Sequence, residues 1–269
     1  VLTYEQRRHF AVKGWVLLEG VFDTLAVEAY TQAIERASRF QRPELGTAAS
    51  DERTIKSPLF FDDLFLSWLR TPAMLEANKQ CLGTGIRYQY SAAQIRYPHP
   101  DRAAYAPALV DPGSWDWQRD LRPKWGVFTD DSDPDLITVH ALRNLTYLSD
   151  VESGTGAIAV LSGSHRREGD FASLREIFPV ETIPARAGDL LLLSQTLLQA
   201  ETPVLVEMPR YLLDYGFVAP WFRPRDGMEV PLELIELLGD EEMRRLFIGD
   251  TYMQQEPVVV SPPKGEGSC

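Results

Sequence analysis

Leu148-Ser149-Asp150-Val151-Glu152-Ser153-Gly154-Thr155-Gly156-Ala157-Ile158-Ala159-Val160-Leu161-Ser162-Gly163-Ser164-His165 is the stretch on which the fold turns. It closes one strand pattern (Leu136 to Leu148), turns at Ser153-Gly154, builds a second strand over Ala157 to Leu161, and turns again at Gly163-Ser164. Alternation of period 2, punctuated by Gly and Ser where the chain must reverse, is the grammar of antiparallel strands.

The same grammar runs outward. Tyr88 to Tyr97, Val180 to Ile183, Leu190 to Ser194 and Tyr211 to Val218 read as strands, with a turn at Ala187-Gly188-Asp189. Upstream of Ile86 the period is helical. Thr3-x-x-Gln6 is a capping box opening a helix that carries Phe10 and Val12, and Gly14 to Leu18 reads as a short strand. Asp23 can cap a second helix reaching about Phe40, with Leu25, Ala29, Ala33 and Ala37 spaced for its apolar face. A third helix spans Leu59 to Cys81, interrupted at Thr71-Pro72. Helices followed by many strands predict a mainly β fold with N-terminal helices, a double-stranded β-helix of jelly-roll, cupin-like type. The expected layout is one domain over 1–257, with a helical buttress at 1–82, a jelly roll at 86–225 and a C-terminal helix at 230–250. The tail 258–269 is expected to be disordered, and the Pro- and Gly-rich stretches 98–116 and 122–135 to wall a pocket.

With 27 Lys and Arg against 39 Asp and Glu, the formal charge of −12 speaks against a nucleic-acid partner. Two cysteines, Cys81 and Cys269, make neither a disulfide framework nor a zinc pattern, so a reducing cytoplasm is expected. No apolar run approaches the ~18 residues of a membrane span. The start at Val1 rather than Met is expected to reflect trimming. A small-molecule partner is expected, and oligomeric state is open.

The ordered pieces resemble the phytanoyl-CoA dioxygenase family of the iron(II)/2-oxoglutarate oxygenase superfamily. Leu2-Thr3-x-Glu5-Gln6, Phe10 and Gly14-Trp15-Val16 look like that family's start. The quoted stretch is similar to its strand–turn–strand ending in Pro-Gly-Ser-His, with Ser162 for the proline. Ala187-Gly188-Asp189 and Pro209-Arg210-Tyr211 look like its closing block. The resemblance covers about 2–225 and implies a barrel holding iron through two histidines and a carboxylate, with 2-oxoglutarate beside it. Carried over by position, the two histidines fall on Gln118 and Gln199, the carboxylate on Asp120, and the arginine that binds 2-oxoglutarate on Arg210.

Gln118 and Asp120 are two apart and point the same way on an extended segment, as a chelating pair must. A neutral amide oxygen is, however, a poor substitute for imidazole at iron(II). No metal and no cofactor are therefore expected; Fe(II) and 2-oxoglutarate would be needed only if the family chemistry were retained. Asp120, Gln118 and Gln199 become candidate catalytic groups, with Asp120 as general acid or base. Alternatively the glutamines merely fill the old site, and Asp120 pairs with Arg119 or Arg122. Arg210 would bind a carboxylate of 2-oxoglutarate or of the substrate, or else pair with Asp214 or Glu207.

The histidines are His9, His99, His140 and His165. His9 reads as a surface residue, His99 and His140 as possible replacements for a ligand, and His165 as fixing its turn or lining the pocket. Trp115, Trp117, Trp125, Tyr147, Tyr215 and Trp221 read mostly as core, with Trp117 and Tyr147 among the pocket candidates. Three functions follow: an enzyme of small-molecule metabolism doing metal-independent isomerisation, cyclisation or elimination on an apolar substrate; an iron(II)/2-oxoglutarate hydroxylase with unusual or artificially replaced ligands; or a non-catalytic binding protein.

Overall fold

Thr3 opens helix α1 (Tyr4–Lys13) with both halves of the capping box formed, and Gly14 closes it at φ 83°, a conformation open to glycine at little cost. The computed structural model describes residues 1–40, 44–45, 52–83, 85–102, 111–121, 139–153, 155–222 and 240–248. After β1 (Trp15–Leu18), Asp23 Oδ1 accepts from Ala26 N at 2.8 Å and starts α2 (Thr24–Phe40). The buried face of α2 is Val27, Tyr30, Ala33, Ile34 and Ala37. That corrects the expected stripe, because Leu25 is 75% exposed and the large residues Tyr30 and Ile34 pull the face round. Val12 of α1 is likewise exposed. The expected third helix is two, α3 (Leu64–Leu69) and α4 (Pro72–Leu82), with Pro72 at the first turn where its missing N–H costs nothing.

Two sheets follow. The larger runs β1-β8-β5-β10-β4-β3-β2 and the smaller β7-β6-β9. The strands are β2 (Glu44–Leu45), β3 (Glu52–Lys56), β4 (Arg87–Arg96), β5 (Ala141–Tyr147) and β6 (Ile158–Leu161). They continue with β7 (Val180–Ile183), β8 (Leu190–Ser194), β9 (Gln199–Glu201) and β10 (Arg210–Val218). A short helix, α5 (Phe171–Leu174), lies between β6 and β7, and α6 (Glu241–Ile248) lies within the expected C-terminal helix. Residues 122–135, including Trp125, then 230–239, 249–250 and the tail 258–269 lie outside the described residues.

Alternation along β10 divides the core. Leu213, Tyr215 and Phe217 face the helices, where Trp68 of α3 stacks on Tyr215 at 3.9 Å. Leu212 faces the other way, with Leu145, Tyr147, Leu191 and Leu193 of the large sheet meeting Ile158, Val160 and Ile183 of the small one. Helix and sheet are also joined by polar groups that satisfy each other: Asn78 of α4 and Asn144 of β5 exchange amide bonds at 2.8 and 3.0 Å, and Trp68 Nε1 donates to Thr146 at 2.8 Å. By the two-residue period Arg210 and Asp214 share the inward face of Leu212, as Arg143 shares that of Leu145. Charged side chains thus enter the space between the sheets.

Candidate active site

Gln118 lies outside any named strand but bridges to Gln199 at the start of β9: Gln118 N donates to Gln199 O at 2.9 Å and Gln199 N to Gln118 O at 3.0 Å. The ladder sets their side chains beside Asp120. Gln199 Nε2 donates to Asp120 Oδ2 at 2.9 Å, which leaves the buried Gln199 Oε1 without a partner. Between the two, Arg119 turns the other way and donates to the carbonyls of Ser164, Thr196, Arg167 and Gly169. The three positions read from sequence as one centre are together, and Arg119 is committed to backbone rather than to Asp120.

Gln118 and Asp120 sit in the wall of a cavity of about 760 Å³, a size suited to a small organic ligand. The wall is mixed: Tyr90, Tyr97 and Trp115 give it the expected aromatic share, with Ala92, Pro203 and Val204 beside them, and charged groups complete it. Glu52, Asp116, Glu201 and Asp214 join Asp120, opposite Lys56, Arg96 and Arg143. Arg143 gives Nε and Nη2 to Asp214 Oδ2 at 2.9 and 2.8 Å, and Tyr90 donates its hydroxyl to Asp214 Oδ1 at 3.1 Å. Arg96 donates to the carbonyls of Gly156 and Thr202 at 2.8 and 2.7 Å and lies 3.4 Å from Glu201. Burial works against the charge of Arg143, yet the carboxylates of Asp214 and Asp120 more than restore it and hold the guanidinium firmly protonated. Burial, then the neighbouring Glu201, push the Glu52 carboxyl up. Glu201 goes the other way: burial opposes its charge, but Arg96 and Arg143 hold it down.

The other site candidates are placed as follows. His99 lines the cavity, with its backbone N bonded to Val204 O at 2.8 Å. Trp115 lines it as well, whereas Trp117 stacks on Phe171 at 4.4 Å and lies outside the lining. Tyr147 is core between the sheets. His140 meets Trp221 edge-on at 4.7 Å, and His165 is buried under α1 with Nε2 3.2 Å from Ala11 O; neither lines the cavity. Loss of water around His165 lowers its pKa to about 4, so it is a neutral packing group held against α1. His9, expected at the surface, is half-buried against Trp15 at 4.5 Å. Arg210 is half-buried outside the lining, with a buried Nε that has no partner; Asp214 is bonded to Arg143 instead.

The sequence reading missed Glu52, Gln94, Arg96, Arg143, Glu201 and Asp214. A usable signal existed, since Arg143 in Ala-Leu-Arg-Asn-Leu and Asp214 in Leu-Leu-Asp-Tyr are charges inside apolar strands. As a holder for iron(II) the observed donors do not fit: two neutral amides and one carboxylate, one amide already hydrogen-bonded to that carboxylate. Among the described residues no group of three His, Cys, Asp or Glu side chains could hold a metal ion. Nor, among them, is any helix long and apolar enough to cross a membrane.

No protein-family model and no curated protein matches the chain. Solved structures do. HygX from Streptomyces hygroscopicus, with nickel and 2-oxoglutarate bound, matches at TM-score 0.61 and 19% identity over 83% of this chain and 90% of its own. The non-heme alpha ketoglutarate dependent epimerase SnoN from nogalamycin biosynthesis matches at TM-score 0.65 and 15% identity, over 84% and 88% of the two chains. The carbocyclase SnoK from the same biosynthesis matches at TM-score 0.65 and 17% identity, with the same coverage. The chain shares their fold. The likeness to HygX, SnoN and SnoK is one of fold, and fold does not by itself carry chemistry.

Proposed function

We propose that the chain is an enzyme of small-molecule biosynthesis that has kept a 2-oxoglutarate-oxygenase scaffold, a double-stranded β-helix of phytanoyl-CoA-dioxygenase type in one domain, while replacing its metal centre. The observation that carries this is the contact of Gln199 Nε2 with Asp120 Oδ2 at 2.9 Å, beside the Gln118–Gln199 bridge. An amide donor holds the carboxylate where two imidazoles would otherwise share it with an ion. Asp120, fixed in the cavity wall, takes a proton from one ligand atom and returns it to another, which is the chemistry of isomerisation, cyclisation or elimination. Gln118 and Gln199 orient the carboxylate and the ligand. The surrounding charges of Arg143 and Asp214 supply a fixed field in place of a Lewis acid. The scaffold's use by an epimerase and a carbocyclase supports a rearrangement of an organic skeleton.

The test is metal retention and cosubstrate turnover. Purified protein incubated with Fe(II), ascorbate and 2-oxoglutarate, then desalted, is expected to keep far less than one metal per chain and to form no succinate. Stoichiometric iron with succinate formation would show an unusual-ligand hydroxylase instead.

A further inference from the structure

We propose that Tyr90, with Asp214 behind it, is a proton relay in the cavity wall: the phenol oxygen takes a proton from a ligand hydroxyl while its own proton passes to Asp214. This rests on the reading of the cavity as an active site and adds a second proton-handling group to Asp120. Gly216 is the residue that seats it.

Tyr90 on β4 is paired with Gly216 on β10, and Ala92 with Asp214. Gly216 has no positive φ, so conformational freedom is not what requires glycine there. Close approach is: a Cβ would lie 2.2 Å from Tyr90 Cε1 and 2.4 Å from Cδ1. The phenol ring therefore crosses β10 at a position without a side chain. Gly216 and Asp214 are two apart and share a face, so the ring passes the first and brings its hydroxyl to the second, 3.1 Å from Oδ1. The next step of register, from Gly216–Tyr90 to Phe217–Tyr88, leaves Gln89 as a bulge in β4, a device that re-aims neighbouring side chains.

The direction of the proton follows from the partners. Arg143 gives two N–H groups to Asp214 Oδ2, which leaves Oδ1 to Tyr90. The hydroxyl spends its single hydrogen on Oδ1, so what it offers the cavity is oxygen lone pairs. Tyr90, Asp214 and Arg143 all line the cavity, and Tyr90 is half-buried, whereas Tyr88, Tyr147 and Tyr215 are buried and outside the lining. Burial, then the charge of Asp214, raises the Tyr90 pKa well above that of a free phenol, so no phenolate stands at rest. Burial also pushes the Asp214 carboxyl up against the pull of Arg143. A neutral phenol backed by such a carboxylate releases its proton as a bond forms at its oxygen.

The experiment is covalent labelling with methanesulfonyl fluoride, a probe small enough for the cavity, followed by peptide mass spectrometry. The Tyr90 oxygen bonds to sulfur, fluoride leaves, and the phenol proton goes to Asp214. Tyr90 should react at least about tenfold faster than Tyr4, which is 61% exposed, whereas a merely packed tyrosine would react more slowly than Tyr4. Asp214→Asn should slow Tyr90 by about 10²-fold. Where circular dichroism shows that variant unfolded, Arg143→Met/Asp214→Leu, which also lacks the base, replaces it. Gly216→Ala should slow Tyr90 and leave Tyr4 unchanged; unchanged labelling of Tyr90 in that variant, when folded, would remove Gly216 as its seat. Labelling of Tyr90 no faster than Tyr4, or at an unchanged rate in a folded variant without Asp214, would overturn the proposal. The two readings fail separately. Fast labelling in a protein that binds iron and makes succinate would sink the metal-independent mechanism and keep the relay. Slow labelling in a protein that retains no iron would sink the relay alone.

Discussion

Arg143 on β5 directs both Nε and Nη2 at a single oxygen of Asp214 on β10, at 2.9 and 2.8 Å, and the two side chains expose only 7% and 6% of their surface. Removing one partner strands a buried charge. Arg143→Met and Asp214→Ala should each cost about 3–5 kcal/mol in urea unfolding, while the double variant Arg143→Met/Asp214→Leu should recover much of that loss. Additive losses would show that the pair is not coupled.

Asp120→Asn keeps the shape of the group but removes its capacity to accept and return a proton. Once a substrate is in hand, kcat should fall by about 10²–10⁴-fold with KM changed only a few-fold. A rise in KM alone would make Asp120 a binding group.

Histidine at positions 118 and 199 would place imidazole donors beside Asp120. The double variant Gln118→His/Gln199→His should take up about one Ni(II) or Fe(II) per chain by elemental analysis, where the parent keeps little. Failure of this folded variant to bind metal would mean that the three positions do not form the expected chelating geometry.

His165 is held neutral, at a pKa of about 4, by burial beneath α1. The unfolded chain therefore binds more protons than the fold between pH 6.5 and 4. Stability should be complete above pH 6.5 and fall by about 3 kcal/mol on acidification to pH 4. His165→Gln should flatten that part of the profile measured by chemical unfolding.

Gly188 has φ 98°, and a Cβ there would lie 2.2 Å from the carbonyl oxygen of Phe22, a backbone atom that cannot swing aside. Gly20 also has positive φ, at 61°, but open space around it. Gly188→Ala should cost more than about 2 kcal/mol, and Gly20→Ala only the left-handed strain of about 1–2 kcal/mol. Equal losses would remove the steric explanation.

The sequence made β7 and β8 legible to the residue, because both are bounded by turn chemistry and, Glu181 apart, filled with apolar or β-branched side chains. It hid β3, whose inward Glu52, Thr54 and Lys56 give Glu-Arg-Thr-Ile-Lys the look of a surface loop. Those polar residues line a cavity, and hydrophobic patterning does not distinguish a polar cavity wall from a solvent face. β9 escaped for a different reason, being only three residues long. Local spacing and the family pattern placed Gln118, Asp120 and Gln199 at one centre, but the charges around them come from β3, β4, β5 and β10, whose meeting depends on strand order. Trp117, Tyr147, His140 and His165 pack outside the cavity lining, because residue type does not encode which way a side chain faces.

The Gln118–Gln199 bridge and the four carbonyl contacts of Arg119 have a mechanical meaning. An ion in a barrel mouth does two jobs: it reacts, and it also staples a loop to the opposing strand. Here the Gln118–Gln199 ladder and the Arg119 guanidinium supply such a staple from the chain's own groups. The mouth should keep its shape through chelation, iron starvation or a change of oxidation state, conditions that would loosen a centre cross-linked by metal.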